Sequence, residues 1–291
     1  MAIVTLTTDF GTKDHYAASM KGAILRVAPS ATIVDVTHAI GPQDVFEGAF
    51  VLRSVWEAFE PGTVHVAVVD PGVGSSRRIV AGRYGGRLVV APDNGLVTMV
   101  HRDFPLEAMH VVENTRLYSG PVSGTFHGRD ILAPVAGHLA KGLAVAEVGS
   151  AARQLELLAV PAVTVLSDRL VGQVIYVDHY GNLVTNIGRG DLARLGGLVA
   201  RCRVWHEQRC VGAIGSCYAD RGPGEPVALV GGTDRLEVAV NRGSAAGVPG
   251  VGVGDAVEVR WGGGGWACGR TRWRRGVGCS WWGSGIGLAR R

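Results

Sequence analysis

Two short stretches of the sequence carry the side chains of an acid–base site. Residues 68–78 include Asp70 and Arg77, and residues 125–130 include His127. Both stretches also contain glycines, which stand where a backbone turns tightly or approaches a ligand. A carboxylate, a guanidinium and an imidazole that the fold brings together can orient and activate a water molecule. The two stretches therefore suggest a hydrolase.

The elements that must position these side chains alternate between strand and helix. Runs of β-branched and other apolar residues predict strands over residues 3–6, 32–36, 64–69 and 88–91. Apolar residues at helical spacing predict helices over residues 16–27, 45–59 and 131–139. Because the strands are almost continuously apolar, their sheet is expected to be covered on both faces. We therefore expect an α/β N-terminal domain with a largely parallel, covered sheet.

Three carboxylates stand where predicted strands end. Asp9 follows the first strand, Asp70 the third and Asp93 the fourth. In α/β sheets, ligands bind in the crevice outside the carboxyl ends of the strands. Three carboxylates gathered there would suit a cation or the hydroxyls of a sugar. The alternative at this point is that each aspartate caps the helix that follows it.

The second half of the chain has a different pattern. Short alternating strands are predicted over residues 173–177, 227–230, 236–240 and 256–259, with glycine-rich turns between them. This pattern predicts a smaller, antiparallel β-barrel-like domain. The predicted boundaries are a catalytic domain over 1–154, a linker over 155–170, a β domain over 171–259 and an atypical Gly/Trp/Arg-rich tail over 260–291. The tail reads as a disordered basic extension or as out-of-frame translation, and it is assigned no function.

Composition narrows the classes of function. Seven arginines and no acids stand from Arg260 onward, so the net charge of +4 belongs to the tail. The rest of the chain has no basic stripe interleaved with aromatics and no apolar run near the roughly 20 residues of a membrane span, so no nucleic-acid or membrane partner is expected. The start of the sequence lacks a signal-peptide pattern, which predicts a cytoplasmic protein. None of the five cysteines forms a C-x-x-C pair or a zinc-finger spacing with histidine, so neither metal nor cofactor is expected.

Five motifs in order along the chain resemble those of one enzyme family. They are T-D-F-G-x-x-D at 8–14, V-D-P-G-V-G-x-x-R at 69–77, A-P-D-N-G at 91–95, T-F-H-G-R-D at 125–130 and D-x-Y-G-N-x-x-T-N-I at 178–187. Together they are similar to the S-adenosyl-L-methionine (SAM) hydroxide adenosyltransferases, or SAM hydrolases, which are relatives of the SAM-dependent fluorinase and chlorinase. The resemblance runs from the first strand to about residue 259.

The resemblance implies both an assembly and a reaction. The assembly is a homotrimer with active sites between the N-terminal domain of one subunit and the C-terminal domain of the next. The reaction is cleavage of SAM to adenosine and L-methionine by water that attacks ribose C5′, with SAM as substrate and no cofactor. Asp70, Arg77 and His127 would handle the water, and Arg77 would favour its hydroxide character. Either Asp70 or His127 would take the proton, and Arg78 is an alternative to Arg77 that the family spacing disfavours.

The resemblance also assigns substrate contacts to the first half of the chain and to the start of the second. Asp9 would bind the ribose hydroxyls, and Phe126 would form a wall near the adenosine. Asp14 and Asp178 would lie near the methionine end, where the amino group is cationic. The adenosine and methionine parts of SAM are therefore expected to contact different groups of acids.

The remaining implied contacts are made to adenine. Tyr180 stands where the family usually has Phe and would stack on the base. Asn182 has the donor and the acceptor needed to read the adenine edge, and Ala245 would contact adenine through its backbone.

Residues 231–234 depart from the family's Asn-Ser-x-Gly pattern and lack the serine that helps to hold the methionine carboxylate. Thr233 is a candidate replacement for that hydroxyl.

Three other functions compete with SAM hydrolysis. A SAM halogenase on the same fold would have Tyr at the position of Asp70 and no histidine at the position of His127, and the anionic Asp70 would repel a halide. A metal-dependent phosphatase could use Asp9, Asp70 and Asp93, but no paired-histidine motif supports it. A non-catalytic adenosine-binding module would not need the intact acid, guanidinium and imidazole.

Overall fold

The computed structural model describes residues 2–261, which form two compact units that divide between Ala159 and Val160. The predicted tail lies outside the described residues from residue 262 onward. Across the described residues, no helix combines the length and the apolar character that crossing a bilayer would require.

The described residues of the first unit contain six strands and four α-helices. The strands are β1 (Ile3–Thr8), β2 (Thr32–Thr37), β3 (Val64–Val68), β4 (Ile79–Tyr84), β5 (Arg87–Pro92) and β6 (Leu106–Val111). The helices are α1 (Tyr16–Val27), α2 (Val45–Val55), α3 (Thr98–Asp103) and α4 (Ala133–Ala140). A single wide helical turn over Gly128–Leu132 leads into α4. The predicted strands and helices of this half are all present, but the prediction missed β4, β6 and α3.

The six strands form one sheet in the order β2-β1-β3-β5-β4-β6. The β2, β1, β3 and β5 strands pair in parallel, whereas β4 pairs antiparallel with both β5 and β6. Within this described sheet, β4 is therefore the one strand that runs the other way. Ile79, at the start of β4, pairs with Pro92 at the end of β5. The reversal thus brings the start of β4 to the edge at which the parallel strands end.

Both faces of this sheet are covered, as the apolar strands predict. Along β3, Val66 packs on one face with a core that includes residues of α1 and α4. The next residue, Ala67, packs on the other face with a core that includes Leu52 of α2 and Val100 of α3. Strand alternation thus feeds two separate cores from one strand. The N-terminal part of the predicted fold class is confirmed.

The second unit is dominated by short strands. They are β7 (Thr164–Val165), β8 (Arg169–Val177), β9 (Leu183–Gly188), β10 (Arg203–His206), β11 (Arg209–Gly212), β12 (Ile214–Gly215), β13 (Pro226–Val230), β14 (Arg235–Val240) and β15 (Ala256–Arg260). A short helix, α5 (Arg189–Ala193), follows β9. The main order is β11-β10-β15-β8-β9-β14-β13-β12, with β7 added to β8.

This sheet curls into a nearly closed barrel. Its pairings are antiparallel apart from the short parallel pair β12–β13. The β11 strand, at one edge, lies against β13 near the other edge. The interior holds buried apolar residues such as Leu170, Leu183 and Leu236. The predicted antiparallel β-barrel-like domain is therefore present, and the prediction omitted its strands β7 and β9–β12.

Candidate active site

The first unit brings Asp70, Arg77 and His127 together. The Arg77 Nε atom donates to both carboxylate oxygens of Asp70 at 2.9 Å, and Nη2 lies 2.5 Å from Asp70 Oδ2. The same Nη2 atom lies 2.9 Å from His127 Nδ1. The Asp70 side chain is 4% exposed and that of Arg77 11%. Arg77 is thus the central member of the group and bridges the acid and the imidazole.

Two loops meet closely to form this arrangement. Asp70 lies just beyond β3, and Arg77 lies just before β4. Between them, Gly74 has φ +79°, and a Cβ atom built there would stand 2.3 Å from the carbonyl oxygen of Gly124. Glycine is required here for its positive φ and also for the close approach. The contact joins the 70–77 loop to the loop that leads into His127.

The hydrogen bond from Arg77 fixes the state of the imidazole. Because a guanidinium only donates, His127 Nδ1 must accept, so a neutral ring carries its proton on Nε2. Burial lowers the pKa of His127, and the nearby Arg77 charge lowers it further, against opposing contributions from Asp70 and Asp130. His127 is therefore neutral at neutral pH, next to a permanently charged guanidinium.

Asp130 holds the loop that carries His127. Its carboxylate accepts from the Ser123 backbone N–H at 2.9 Å and from Arg129 Nε at 2.6 Å. Ser123 Oγ in turn accepts from the Phe126 backbone N–H at 3.0 Å. These charge-assisted contacts keep the pKa of Asp130 below its usual value, although burial opposes the shift. The loop from Ser123 to His127 is thus held by the side chains of Ser123 and Asp130.

Asp9 and an aromatic cluster lie at the end of β1. Asp9 Oδ2 accepts from the backbone N–H of Gln43 at 2.9 Å. The rings of Phe10, Tyr16 and Phe126 form a cluster in which the Tyr16 and Phe126 centroids are 5.2 Å apart. The predicted adenosine wall, Phe126, therefore packs with the aromatic residue that directly follows Asp9.

Asp14 and Asp93 occupy very different surroundings. Asp14 is exposed in the turn before α1. Asp93 is buried, forms an ion pair with Arg78 and accepts from the Glu156 backbone N–H at 2.9 Å. Asp93 therefore holds the segment at Glu156 against the sheet through this hydrogen bond. The interpretation that Asp93 joins Asp9 and Asp70 in an open carboxylate cleft is wrong, because its carboxylate is buried and paired with Arg78. The same ion pair commits Arg78 to Asp93, whereas Arg77 contacts Asp70 and His127.

The second unit builds a compact turn from the fifth motif. Asp178 Oδ1 accepts from the backbone N–H groups of Tyr180 and Asn182 at 2.9 and 2.8 Å. Its other oxygen accepts from Asn182 Nδ2 at 2.7 Å. The Tyr180 side chain projects from this turn and is 74% exposed. Asp178 thus shapes the turn and leaves the Tyr180 ring open to a ligand.

A second glycine contact joins this turn to the segment that contains Ala245. A Cβ atom on Gly181, which has φ +80°, would stand 1.9 Å from Ser244 Oγ. The Gly181 carbonyl also accepts from the Ala246 backbone N–H at 3.0 Å. Ala245 itself is fully buried. Tyr180, Asn182 and Ala245 therefore lie on two segments that contact each other directly.

Comparison with known proteins identifies the family. The chain matches the SAM hydroxide adenosyltransferase N-terminal domain over residues 4–149 and the corresponding C-terminal domain over residues 172–258. The chain belongs to the SAM hydroxide adenosyltransferase family.

Relatives of this family member include named SAM hydrolases and fluorinases. It is 38% identical over 260 residues to an (R)-S-adenosyl-L-methionine hydrolase of Salinispora tropica, covering 88% of this chain and 97% of that protein. A Thermus thermophilus protein of the same name is 36% identical over 84% of this chain and 94% of its own length. A fluorinase of Actinoplanes is 33% identical over 67% of this chain and 74% of that enzyme. The named hydrolases thus match more of the chain than this fluorinase does.

A solved structure supports the fold of this family member. An uncharacterised conserved protein of Thermotoga maritima is 35% identical, with a TM-score of 0.83, and the match covers 89% of this chain and 100% of that one. The two-domain fold expected from the resemblance is therefore confirmed.

One buried carboxyl of the second unit, that of Glu237, was not indicated by the motifs. Glu237, next to the departure at 231–234, is buried, and burial raises its pKa. Tyr218 donates to it from 3.2 Å. A Cβ atom on Gly231 would stand 1.7 Å from Glu237 Oε1, so the departure provides space for this carboxyl. In the sequence Glu237 is an acidic residue within the predicted strand 236–240, and this pattern does not indicate that its carboxyl is buried.

The buried carboxylates near the site are paired with arginine side chains. Among residues 2–261, no three His, Cys, Asp or Glu side chains come together in a group that could hold a metal ion. Asp70 is bound to Arg77 and Asp93 to Arg78, so neither carboxylate is free to act as an anionic ligand. The donor set therefore does not fit the carboxylate-metal site of the phosphatase alternative.

Proposed function

We propose that this protein hydrolyses SAM to adenosine and L-methionine. The observation that carries the proposal is the bridge from Arg77 to both Asp70 and His127 at the carboxyl edge of the sheet. The family and the (R)-S-adenosyl-L-methionine hydrolases that match most of the chain support the same reaction.

The chemistry of the substrate suits a site of this kind. A water oxygen forms a bond to ribose C5′ while the C5′–S bond breaks, and the electron pair of that bond stays on sulfur. Methionine then leaves as a neutral thioether, so the leaving group needs no general acid. The proton of the attacking water is lost to a base. The task of the protein is to present a desolvated oxygen nucleophile in line with the C5′–S bond.

We propose separate roles for the three side chains. Arg77 stabilises developing hydroxide through its permanent charge. Asp70 fixes the guanidinium through paired hydrogen bonds and keeps it from pairing with solvent anions. His127 accepts or relays the proton once its bond from Arg77 is exchanged for water, and its lowered pKa keeps it neutral for this purpose.

The proposed substrate contacts follow from the two local groups. Asp9 binds the ribose hydroxyls, Phe126 packs on the adenosine, and Asp14 lies near the cationic amino group. From the second unit, Tyr180 stacks on adenine, supported by its exposed ring. The remaining proposed contacts in that unit are Asp178, Asn182 and the backbone of Ala245. Asn182 offers its carbonyl oxygen and one N–H, because its other N–H already bonds Asp178.

We further propose that the enzyme is a cytoplasmic homotrimer. Its active sites would lie between the first unit of one subunit and the second unit of the next, as the family resemblance implies. This arrangement would explain why each unit carries only part of the proposed substrate site. Light scattering on the purified protein tests the trimer, and cell fractionation tests the location.

The decisive experiment is incubation of the purified protein with SAM. Chromatography should detect adenosine and methionine in equal amounts. In water enriched in heavy oxygen, mass spectrometry should place the heavy atom on the adenosine 5′-hydroxyl. EDTA should leave the rate unchanged, whereas activity that requires a divalent ion would favour a metal hydrolase. Formation of a 5′-halogenated nucleoside with added fluoride or chloride would favour the halogenase alternative.

A further inference from the structure

A chain of polar side chains, buried at its inner end, leads to the loop that carries Asp9. Thr8 is fully buried, and its Oγ1 atom lies 2.8 Å from His38 Nδ1. On the other side of the imidazole, His38 Nε2 lies 3.1 Å from Asp35 Oδ1. Lys21 Nζ contacts the second oxygen of Asp35 at 2.5 Å. The chain thus runs from a surface lysine to the end of β1.

The Thr8 hydroxyl contacts both the backbone of the Asp9 loop and the His38 ring. Thr8 Oγ1 accepts from the Phe10 backbone N–H at 3.3 Å and lies 2.8 Å from His38 Nδ1, so one hydroxyl joins the loop backbone to the imidazole. The other ring nitrogen, Nε2, faces the Asp35 carboxylate. Asp35 is held ionised, since Lys21 and His38 lower its pKa although burial opposes them. The arrangement therefore links the Phe10 backbone, through the Thr8 hydroxyl and the His38 ring, to the Asp35 carboxylate.

The backbone of His38 also bonds to the loop that carries Asp9. Its carbonyl oxygen accepts from the Gly11 N–H at 2.6 Å, and Gly11 has φ +66°. Phe10 and Gly11 are therefore both tied to His38, one through Thr8 and one directly. Asp9 lies between Thr8 and Phe10, and its carboxylate has a further tie to the Gln43 N–H at 2.9 Å.

We propose that His38 is a positioning residue that sets the Asp9 carboxylate for the ribose hydroxyls. The inference rests on the proposed function, because it takes the ribose of SAM as the ligand of Asp9. A carboxylate that accepts from two hydroxyls of a diol must be held in one orientation, and a loop fixed at Thr8, Phe10 and Gly11 provides this. Loss of the His38 side chain should therefore weaken nucleoside binding more than it slows the chemical step.

The same sheet contains a matched control for this contact. Thr5 Oγ1 lies 2.8 Å from His65 Nδ1, both residues are fully buried, and Thr5 is three residues before Thr8 on the same strand. His65 lies on β3 and stacks on Trp56. The two Thr–His pairs thus share the Oγ1–Nδ1 distance and the burial of both residues, but it is Thr8 of the His38 pair that adjoins Asp9.

Paired substitutions separate positioning from folding. In His38→Asn the amide can replace Nδ1 and keep the contact with Thr8, whereas in His38→Gln it replaces Nε2 and loses that contact. We expect His38→Gln to raise KM for SAM by about 10-fold with kcat within about 2-fold of wild type, and His38→Asn to restore most of the affinity. His65→Gln should lower the melting temperature and leave KM unchanged.

Two threonine-to-valine variants test the same contact without changing a histidine, so the inference can still be tested if a histidine variant does not fold. Thr8→Val removes the hydroxyl that joins His38 to Phe10, and Thr5→Val removes the matched hydroxyl. Only Thr8→Val should weaken adenosine binding in calorimetry. An unchanged KM in both His38→Gln and Thr8→Val, or equal effects of the Thr5 and Thr8 variants, would overturn the inference. Absence of SAM cleavage by the wild type would instead refute the proposed function, and adenosine binding would still test the role of His38.

Discussion

At the scale of single residues, two neighbouring arginines have separate tasks. Arg77 is enclosed and contacts both Asp70 and His127, whereas Arg78 is partly exposed and pairs with Asp93. Two adjacent residues of one extended segment point in opposite directions, so one reaches the proposed site and the other reaches the chain near Gln154. The sequence offers no difference between them besides position.

This division predicts different effects of the same conservative change. Arg77→Lys removes the paired donation to Asp70 and the bond to His127, so kcat should fall by about 10²-fold or more with little change in protein stability. Arg78→Lys should lower the melting temperature and leave kcat close to wild type. Steady-state kinetics and thermal melting of both variants check this. Equal losses of kcat would show that the assignment of Arg77 to the site is wrong.

Removing the acid or the base should affect turnover more than binding. His127→Ala and Asp70→Ala should lower kcat by about 10²- to 10⁴-fold, which is the usual range for an acid–base group. Asp9→Ala should mainly raise KM, because it removes a charged hydrogen-bond acceptor from the ribose. Calorimetric titration with adenosine separates the two classes. If all three variants lost affinity and turnover alike, the group would be a folding element.

The state of His127 predicts the acid side of the pH profile. Protonation would place a cation beside Arg77 and remove the Nδ1 acceptor, so activity should fall as the pH drops through the pKa of His127. Burial and the Arg77 charge lower that pKa from its ordinary value of 6.5. The decline in kcat/KM should therefore occur at a pH below 6.5, and kcat/KM should not change with pH near neutrality. The residual activity of His127→Asn should lack this acid limb. A wild-type limb above 6.5 would contradict the role.

At the scale of elements, the site depends on loops pinned by glycine contacts. Gly74 lets the 70–77 loop touch the carbonyl of Gly124, and Gly181 lets the 178–182 turn touch Ser244. In both places the proposed site residues lie within four residues of the glycine. The precision of the site therefore comes from backbone contacts as well as from the side chains of the motif.

The Gly74 contact predicts a local failure. Gly74→Ala places a Cβ atom against Gly124 at a positive φ, so the two loops must separate and the distance from Arg77 to His127 must grow. We expect kcat to fall by at least about 10-fold. Gly62→Ala is the control, because Gly62 has φ +90° with open space around it and should cost only stability. Equal kcat values in the two variants would rule out a role for the loop contact.

Much of this architecture could be predicted from the sequence. The apolar strands and helical spacings revealed the covered sheet, and the ordered motifs brought Asp70, Arg77 and His127 into one group. Strand β4 was missed because Gly82 and Arg83 interrupt its apolar pattern, and a Cβ atom at Gly82 would stand 2.4 Å from Met109 Cε. The pairing of Asp93 with Arg78 could not be predicted, because it depends on the reversed direction of that missed strand.

At the scale of the whole molecule, the proposed substrate contacts divide between two units of one chain. Sharing between subunits can be tested by mixing two defective proteins. Co-expression of His127→Ala with Asn182→Ala in equal amounts should give trimers in which about a quarter of the sites are intact, because one subunit supplies a sound first unit and its neighbour a sound second unit. Tagged mixed trimers should then recover activity. No recovery in verified mixed trimers would mean that each site belongs to a single chain.

The reversed strand β4 also affects the order in which the site is expected to assemble. It starts just after Arg77, which lies only seven residues after Asp70, and closing so short a loop costs little chain entropy. His127 lies fifty residues after Arg77, with the paired strands β4 to β6 between them. Because contacts distant in sequence close later than local ones, we expect the ion pair to form first and the imidazole to join last. Such an order would keep the guanidinium neutralised during folding and leave hydrolytic competence to the final docking step.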